Sequence, residues 1–250
     1  MDKTVAKALN LLETLVKSPE PLGVTDLALR LELTKSNVHR TLDTLRQLGY
    51  VEYLPEHRRY RASFKLWQLG TWISENLDIK QVASPHLHAL ADKTGETVHL
   101  CLLSGENVIY IDKVDCKHHV RPATRIGGSA PAHCVSTGKA ILAFRPEAVI
   151  KAVLGKLEQH TPQTIVTKKA FEAELAAVRE KGVAYNRGEW HVETIGAAAP
   201  IRNAEGEVVA AVGVSIPTSR ARMSDVKKLA PTIQATAAAI SAALGFNGKH

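Results

Sequence analysis

Residues 24–49 read VTDLALRLELTKSNVHRTLDTLRQLG, two amphipathic segments broken only at Glu32-Leu33. In the first, Thr25 can cap a helix whose Leu27, Ala28 and Leu31 face inward. In the second, Thr34 is the cap, Val38, Thr41, Leu42, Leu45 and Leu48 form the buried stripe, and Gly49 closes the helix. A longer stripe precedes them, with Val5, Ala8, Leu9, Leu12, Leu15 and Val16 at helical spacing until Ser18-Pro19 and Pro21-Leu22-Gly23 end it. Two helices joined by a tight turn, the second carrying its polar residues at its N-terminal end, form a helix-turn-helix.

The chemistry of that second helix suits a duplex. Lys35, Ser36, Asn37, His39 and Arg40 occupy its first two turns, on or beside the face opposite the leucines. Asn pairs bidentately with adenine and Arg or Lys with guanine, while Ser36 and the helix N-terminus suit a phosphate. Thr25, at the head of the preceding helix, joins this DNA-binding set. Next come Tyr50 to Tyr53, a turn at Pro55-Glu56-His57, and Arg58-Arg59-Tyr60-Arg61, two short strands around a basic tip. This is a wing, with Arg58 and Arg59 placed to reach the flanking backbone or minor groove. A basic three-helix protein-docking module is the alternative, but helix, turn, polar-headed helix and basic hairpin together favour DNA.

Composition adds bounds. The chain has 250 residues, 45% hydrophobic and 23% charged, enough for one large domain or a small one plus a medium one, and too apolar for wholesale disorder. The net charge of +7 suggests an anionic partner, yet residues 1–63 hold 10 basic and 8 acidic side chains against 21 and 15 in residues 80–250. Placement, not net charge, therefore carries the DNA reading. Three cysteines, Cys101, Cys116 and Cys134, are too few for a disulfide framework and lack Cys-x-x-Cys spacing. Lys7 and Glu13 interrupt the apolar runs of the N-terminus, and Leu229 to Gly248 is too weakly apolar to span a bilayer. A soluble, cytoplasmic protein without a membrane partner is expected.

Three segments follow from the patterning: a winged helix-turn-helix over 1–63, a linker helix over 64–79 and a second domain over 80–250. Leu66, Leu69, Trp72, Ile73 and Leu77 keep helical spacing through the linker, which Gly70 weakens slightly. Ser84-Pro85 reads as the N-cap and first turn of a helix running to Lys93. Beyond it, ETVHLCLL and VIYIDKVD flank Ser-Gly-Glu-Asn, and TIGAAAPI and EVVAAVGVSI flank Asn-Ala-Glu-Gly, predicting two hairpins. Helices are predicted at about 137–144, 146–155, 168–181 and 223–244. Hairpins mixed with helices give an α+β domain with a mainly antiparallel sheet.

The stretch from Pro131 to Ala140 leads a loop into a helix N-terminus, with Ser136 as a natural N-cap and Gly138 allowing close approach. Such a terminus is either a plain capped helix or a carboxylate site. An enzyme has less support. His133 and Cys134 suggest a thiol and its base, but neighbours on a strand point to opposite sides. Zinc-deaminase, Walker and dinucleotide-binding motifs are all missing from the sequence. Among eleven histidines, His99, His118, His119, His133 and His191, with Cys101, are the candidate metal ligands, but without ligand spacing. No metal and no cofactor are expected, and stoichiometric zinc in the purified protein would overturn that.

The segments VTDLALRLELTKSNVHRTLDTLRQLGYVEY, SAPAHCVSTGKAILAF at 129–144 and GAAAPIRNAEGEVVAAVGVSIPTSR at 196–220 resemble, in order and spacing across nearly the whole chain, the IclR-type bacterial transcriptional regulators. The resemblance implies a winged helix-turn-helix, a linker helix and a C-terminal GAF-like effector-binding domain. It also implies a homodimer or dimer of dimers that binds double-stranded operator DNA of a catabolic operon and answers to a small organic acid. The family's effector pocket maps onto Ser136, Thr137, Asn186, Thr194, Gly196, Gly213 and Ser215, with Glu189 in its acidic segment and Trp190 and His191 beside it. Two positions depart from the common pattern, Asn186 for a frequent aspartate and Gly196 for a frequent cysteine, which implies a less acidic and roomier pocket. A small-molecule-converting enzyme or a metabolite sensor without DNA function is the competing expectation.

Overall fold

The computed structural model describes residues 2–75 and 78–248, in two compact units, residues 1–76 and 77–250. In the first, α1 (Lys3–Lys17) starts at Asp2, whose carboxylate accepts the Thr4 and Val5 amides at 2.8 and 3.3 Å. α2 (Val24–Arg30) and α3 (Lys35–Gln47) follow, then the hairpin β1 (Val51–Leu54) and β2 (Arg59–Ala62), and α4 (Lys65–Glu75). Leu11, Leu12, Leu15, Leu27, Val38, Leu42, Leu45, Val51 and Tyr60 share one core. Leu22 pairs with Tyr60 as a third, one-residue strand of the wing.

Several local expectations change. Thr25 is not the α2 cap; the helix begins one residue earlier, at Val24, and the Asp26 carboxylate accepts the Gly23 amide at 3.1 Å. Thr34 does cap α3, accepting the Asn37 amide at 3.3 Å. At its other end, Gly49 at φ +77° lets its own amide reach the Arg46 carbonyl and the Tyr50 amide reach Leu45, a Schellman closure that needs the left-handed conformation. Leu48 falls outside the buried stripe because it sits at this cap, and it is exposed. The α1 stripe is also turned. Leu11, Leu12 and Leu15 enter the core, whereas Val5, Leu9 and Val16 are each more than half exposed. α1 is apolar over a wider arc than its own unit can cover.

The linker stripe is helical as far as α4 extends, while Leu77 lies outside the described residues. Ser84-Pro85 does not start a helix. α5 (Asp78–Thr94) already begins at Asp78 and carries Pro85 in its interior. Interior proline costs about 3 kcal/mol, and burial of Ala83, Leu87, Leu90 and Ala91 offsets it.

The second unit is built on one antiparallel sheet. Its strands are β3 (Thr97–Ser104), β4 (Asn107–Val114), β5 (Ser129–Pro131), β6 (Ala184–Arg187), β7 (Thr194–Arg202) and β8 (Val208–Pro217), in the order β5-β4-β3-β8-β7-β6. Both predicted hairpins form, and short β5 and β6, too brief to show a periodicity, extend the two edges. Period-two alternation splits the side chains between two cores. Ile195, Ala197, Ala199, Val212 and Val214 meet α5 and α9 (Met223–Ala243) on one face. Ala198 and Ala211 meet α6 (Ser136–Leu142) and α8 (Lys168–Lys181) on the other, with α7 (Glu147–Leu154) beside them.

α6 packs closely on the sheet because glycine stands at the contacts. A Cβ on Gly213 would lie 3.0 Å from Thr137 Cγ2 and 2.8 Å from Ala198 Cβ, and one on Gly138 would lie 2.1 Å from the Ala132 carbonyl oxygen. Among the described residues, no helix is long and apolar enough to cross a membrane.

Candidate nucleic-acid interface and effector pocket

In the first unit, Lys35, Ser36, His39 and Arg40 are exposed and Asn37 is half-buried on the leading turns of α3. Arg40 Nη2 donates to Asn37 Oδ1 at 3.2 Å, so the two side chains form one polar unit. His39 Nδ1 lies 3.0 Å from Asp43 Oδ2. Lys35, Ser36 and Arg58 make no side-chain hydrogen bond or ion pair within the described residues, which leaves their donors for a partner. Arg58 sits at the wing tip at φ +50°. Arg59 is engaged differently: it donates to the Pro21 carbonyl at 2.8 Å and lies 3.4 Å from Asp26, fastening the wing to the turn before α2. Thr25 is exposed beside that turn.

In the second unit, a cavity of about 430 Å³ opens where β3, β4, β7 and β8 meet the leading end of α6. Five of the positions expected from sequence line it: Ser136, Thr137, Asn186, Thr194 and Ser215. The Ser136, Thr194 and Ser215 hydroxyls make no hydrogen bond within the described residues. Ser136 is not the helix cap. Val135 takes that place without a side-chain bond, so the Ser136 hydroxyl is spared for the cavity. Asn186 also organises its own loop, its Oδ1 accepting the Gly188 and Glu189 amides at 3.0 Å each.

Gly196, Gly213 and Glu189 do not line the cavity. The volume a side chain would take at Gly196 is filled by backbone, since a Cβ there would lie 2.3 Å from the Val214 carbonyl oxygen. The pocket is therefore not widened at Gly196. Gly138, likewise, makes room for the Ala132 backbone and not for a ligand. Glu189 instead receives Lys139, whose ammonium lies 2.8 and 2.9 Å from its two oxygens and 3.0 Å from Glu174 Oε1. Burial pushes the Glu189 carboxyl up, and Lys139 pulls it back in part. Burial would raise Glu174 too, but Lys139 and Arg187 outweigh it and hold that carboxyl low.

The remaining wall comes from Trp190 and His191, expected beside the pocket, and from residues that sequence reasoning did not assign to it. His99 Nε2 lies 2.7 Å from Thr124 Oγ1, and burial, assisted by Lys113 and opposed by Asp115, brings the imidazole down to about 4. It is neutral at ordinary pH. Tyr110 packs on it at 5.1 Å, and Trp190 and His191 close another side. Arg125 stands exposed at the rim, its side chain without a hydrogen bond or ion pair among the described residues. Its loop is tied down by Arg220, which grips both Glu96 oxygens at 2.9 and 2.5 Å and donates to the Val120 carbonyl at 3.0 Å. The spacing of a loop carries no periodicity, so only the density of basic residues and histidines over 117–125 could have flagged it.

Residues 4–55 match the IclR helix-turn-helix domain, and residues 72–242 match the C-terminal domain of the bacterial transcriptional regulator IclR. The chain belongs to the IclR family of transcriptional regulators. The HTH-type transcriptional regulator XynR of Escherichia coli K12 is 32% identical over 98% of both chains. The crystal structure of the Thermotoga maritima IclR superposes with a TM-score of 0.76 at 29% identity, covering 98% of this chain and 100% of that one. An IclR homologue of Microbacterium hydrocarbonoxydans, solved in complex with 4-hydroxybenzoate, superposes with a TM-score of 0.80 at 27% identity over 97% and 99% of the two chains. The family and these relatives are regulators, not enzymes, which decides against the enzyme alternative.

Proposed function

We propose that this IclR-family regulator controls a catabolic operon from the cytoplasm, binding double-stranded operator DNA through residues 1–63 and a small organic acid through residues 80–250. Residues 64–79 link the two. The carrying observation is the cavity, whose Ser136, Thr194 and Ser215 hydroxyls have no hydrogen-bond partner among the described residues and whose rim holds Arg125, whose side chain has none among them either. Hydroxyls that open onto a cavity without a protein acceptor can donate to a ligand there. A carboxylate matches them and the guanidinium together. The 4-hydroxybenzoate held by the Microbacterium homologue supports the same ligand class.

Asn37 and Arg40 are the base-reading pair in this reading, Lys35, Ser36 and Arg58 contact phosphates, and Thr25, His39 and Arg59 shape the surface around them. Self-association into a homodimer or a dimer of dimers covers the apolar surface left on the first unit. Val5, Leu9 and Val16 on α1, with Phe64, Trp67 and Ile73 around α4, are each more than half exposed. Two recognition helices then read the halves of an inverted repeat.

The effector shifts DNA affinity only to the extent that it binds one conformation better than the other. Screening organic acids for release or retention of the chain on the DNA upstream of its own gene tests the whole scheme. A carboxylate that acts on the parent and not on Arg125→Ala supports it. Acids that leave binding unchanged across the series contradict it.

A further inference from the structure

On the far side of the loop that lines the effector cavity, three side chains converge that sequence spacing left apart. One ligand atom each from His133, Cys134 and His160 lie within 4.8 Å of one another. We propose that His133, Cys134 and His160 form a site for a divalent transition metal of the zinc class. Histidines without ligand spacing predict no such site, and His133 and Cys134 as neighbours on a strand would diverge. Residues 132–134 are instead a single 3-10 turn, and His160 arrives from the segment after α7.

His133 Nε2 lies 3.1 Å from the Glu158 carbonyl oxygen, so that nitrogen carries the proton and Nδ1 presents its lone pair. A ring N–H bonded to a backbone carbonyl is the usual outer support of a metal-bound imidazole. The buried Cys134 thiol makes no hydrogen bond within the described residues. The His160 backbone is held by Thr164 Oγ1, at 3.1 Å from its amide, while the residue itself is exposed.

Zinc bonds of about 2.0–2.3 Å put ligand atoms roughly 3.3–3.8 Å apart, a contraction of about 1 Å that the His160 ring can supply. The site borders a cleft of about 190 Å³ lined also by Glu106, Lys156 and Glu158. Lys156 pairs with Glu106 at 2.8 Å, which leaves the Glu158 carboxylate or a water for the fourth position. Two imidazoles and a thiolate select zinc, cobalt or nickel over magnesium or calcium.

The position also matters for the pocket. His160 packs edge-on against Trp190 at 4.5 Å between ring centres, and Trp190 and the Val135–Thr137 segment after Cys134 both line the effector cavity. A bound ion would stiffen that wall from behind. This consequence rests on the pocket reading, but metal binding itself does not, so the two can fail separately.

The test is titration of the chelator-stripped full chain with Co2+, followed by displacement with Zn2+. One equivalent per chain with a thiolate-to-cobalt charge-transfer band is expected, lost in Cys134→Ser. His160→Ala, an exposed change that leaves the core intact, weakens binding more than tenfold, whereas the joint His118→Ala and His119→Ala variant keeps it. Absence of a stoichiometric band in the parent, or undiminished binding by His160→Ala, would overturn the site.

Discussion

Lys139 Nζ lies 2.8 Å from Glu189 Oε1 with both side chains closed to solvent, a buried ion pair joining α6 to the loop that carries Trp190 and His191 to the pocket. Arg187 adds to it, 2.8 Å from the Glu174 oxygen that Lys139 also holds. Removing one member strands the other charge. Lys139→Met should cost about 3–5 kcal/mol, read as a lower midpoint of urea unfolding followed by a probe in the second unit. The joint Lys139→Met, Glu189→Gln variant should recover part of that loss. Equal midpoints for Lys139→Met and the parent would show that the pair does not secure the loop.

Glycine at the α6 contacts makes a second expectation. Because a Cβ on Gly138 would lie 2.1 Å from a backbone oxygen, Gly138→Ala forces α6 away from Ala132. Overpacking of this kind costs about 1–3 kcal/mol. Gly70→Ala, where a Cβ meets nothing within 4 Å, should instead leave stability unchanged or raise it. Thermal melts of the two variants check the contrast.

His99 sets a pH dependence. Its folded pKa of about 4 lies below the usual 6.5, so the unfolded chain binds more protons between those values. The stabilising contribution is complete above about pH 6.5 and is lost as pH falls toward 4, by up to about 3 kcal/mol from this residue. His99→Gln should flatten that part of the stability profile. A profile as steep as the parent's would mean that His99 is not the buried neutral imidazole described.

Arg220 holds the loop bearing Thr124 and Arg125 through Glu96 and the Val120 carbonyl, without lining the cavity itself. Arg220→Ala should therefore raise amide exchange across residues 115–126 while leaving exchange in β7 and β8 unchanged. Unaltered exchange in the loop would remove Arg220 from this role.

Sequence reading succeeded where a repeat extends over several turns or pleats. The leucines of α3 predict that helix, and the apolar runs on either side of Asn-Ala-Glu-Gly predict β7 and β8. It failed where one side chain or one backbone turn decides. Asp26 took the cap from Thr25, burial of Leu87 and Leu90 carried α5 through Pro85, and a 3-10 turn replaced a strand at His133. Of the pocket, Ser136, Thr137, Asn186, Thr194 and Ser215 were legible through the family resemblance. Thr124, Arg125 and Tyr110 were not, because a loop and a bulged strand bring them in from residues with no shared pattern.

In the proposed function α3 reads base sequence while the wing holds the backbone. This is tested by titrating the DNA upstream of the gene, and an unrelated duplex, with parent, Arg40→Ala and Arg58→Ala chains at two salt concentrations. Arg40→Ala should lose about 1–3 kcal/mol of preference for its own site, and Arg58→Ala should weaken both duplexes alike and lower the salt slope by about 1. Parent-like binding by both variants would contradict it.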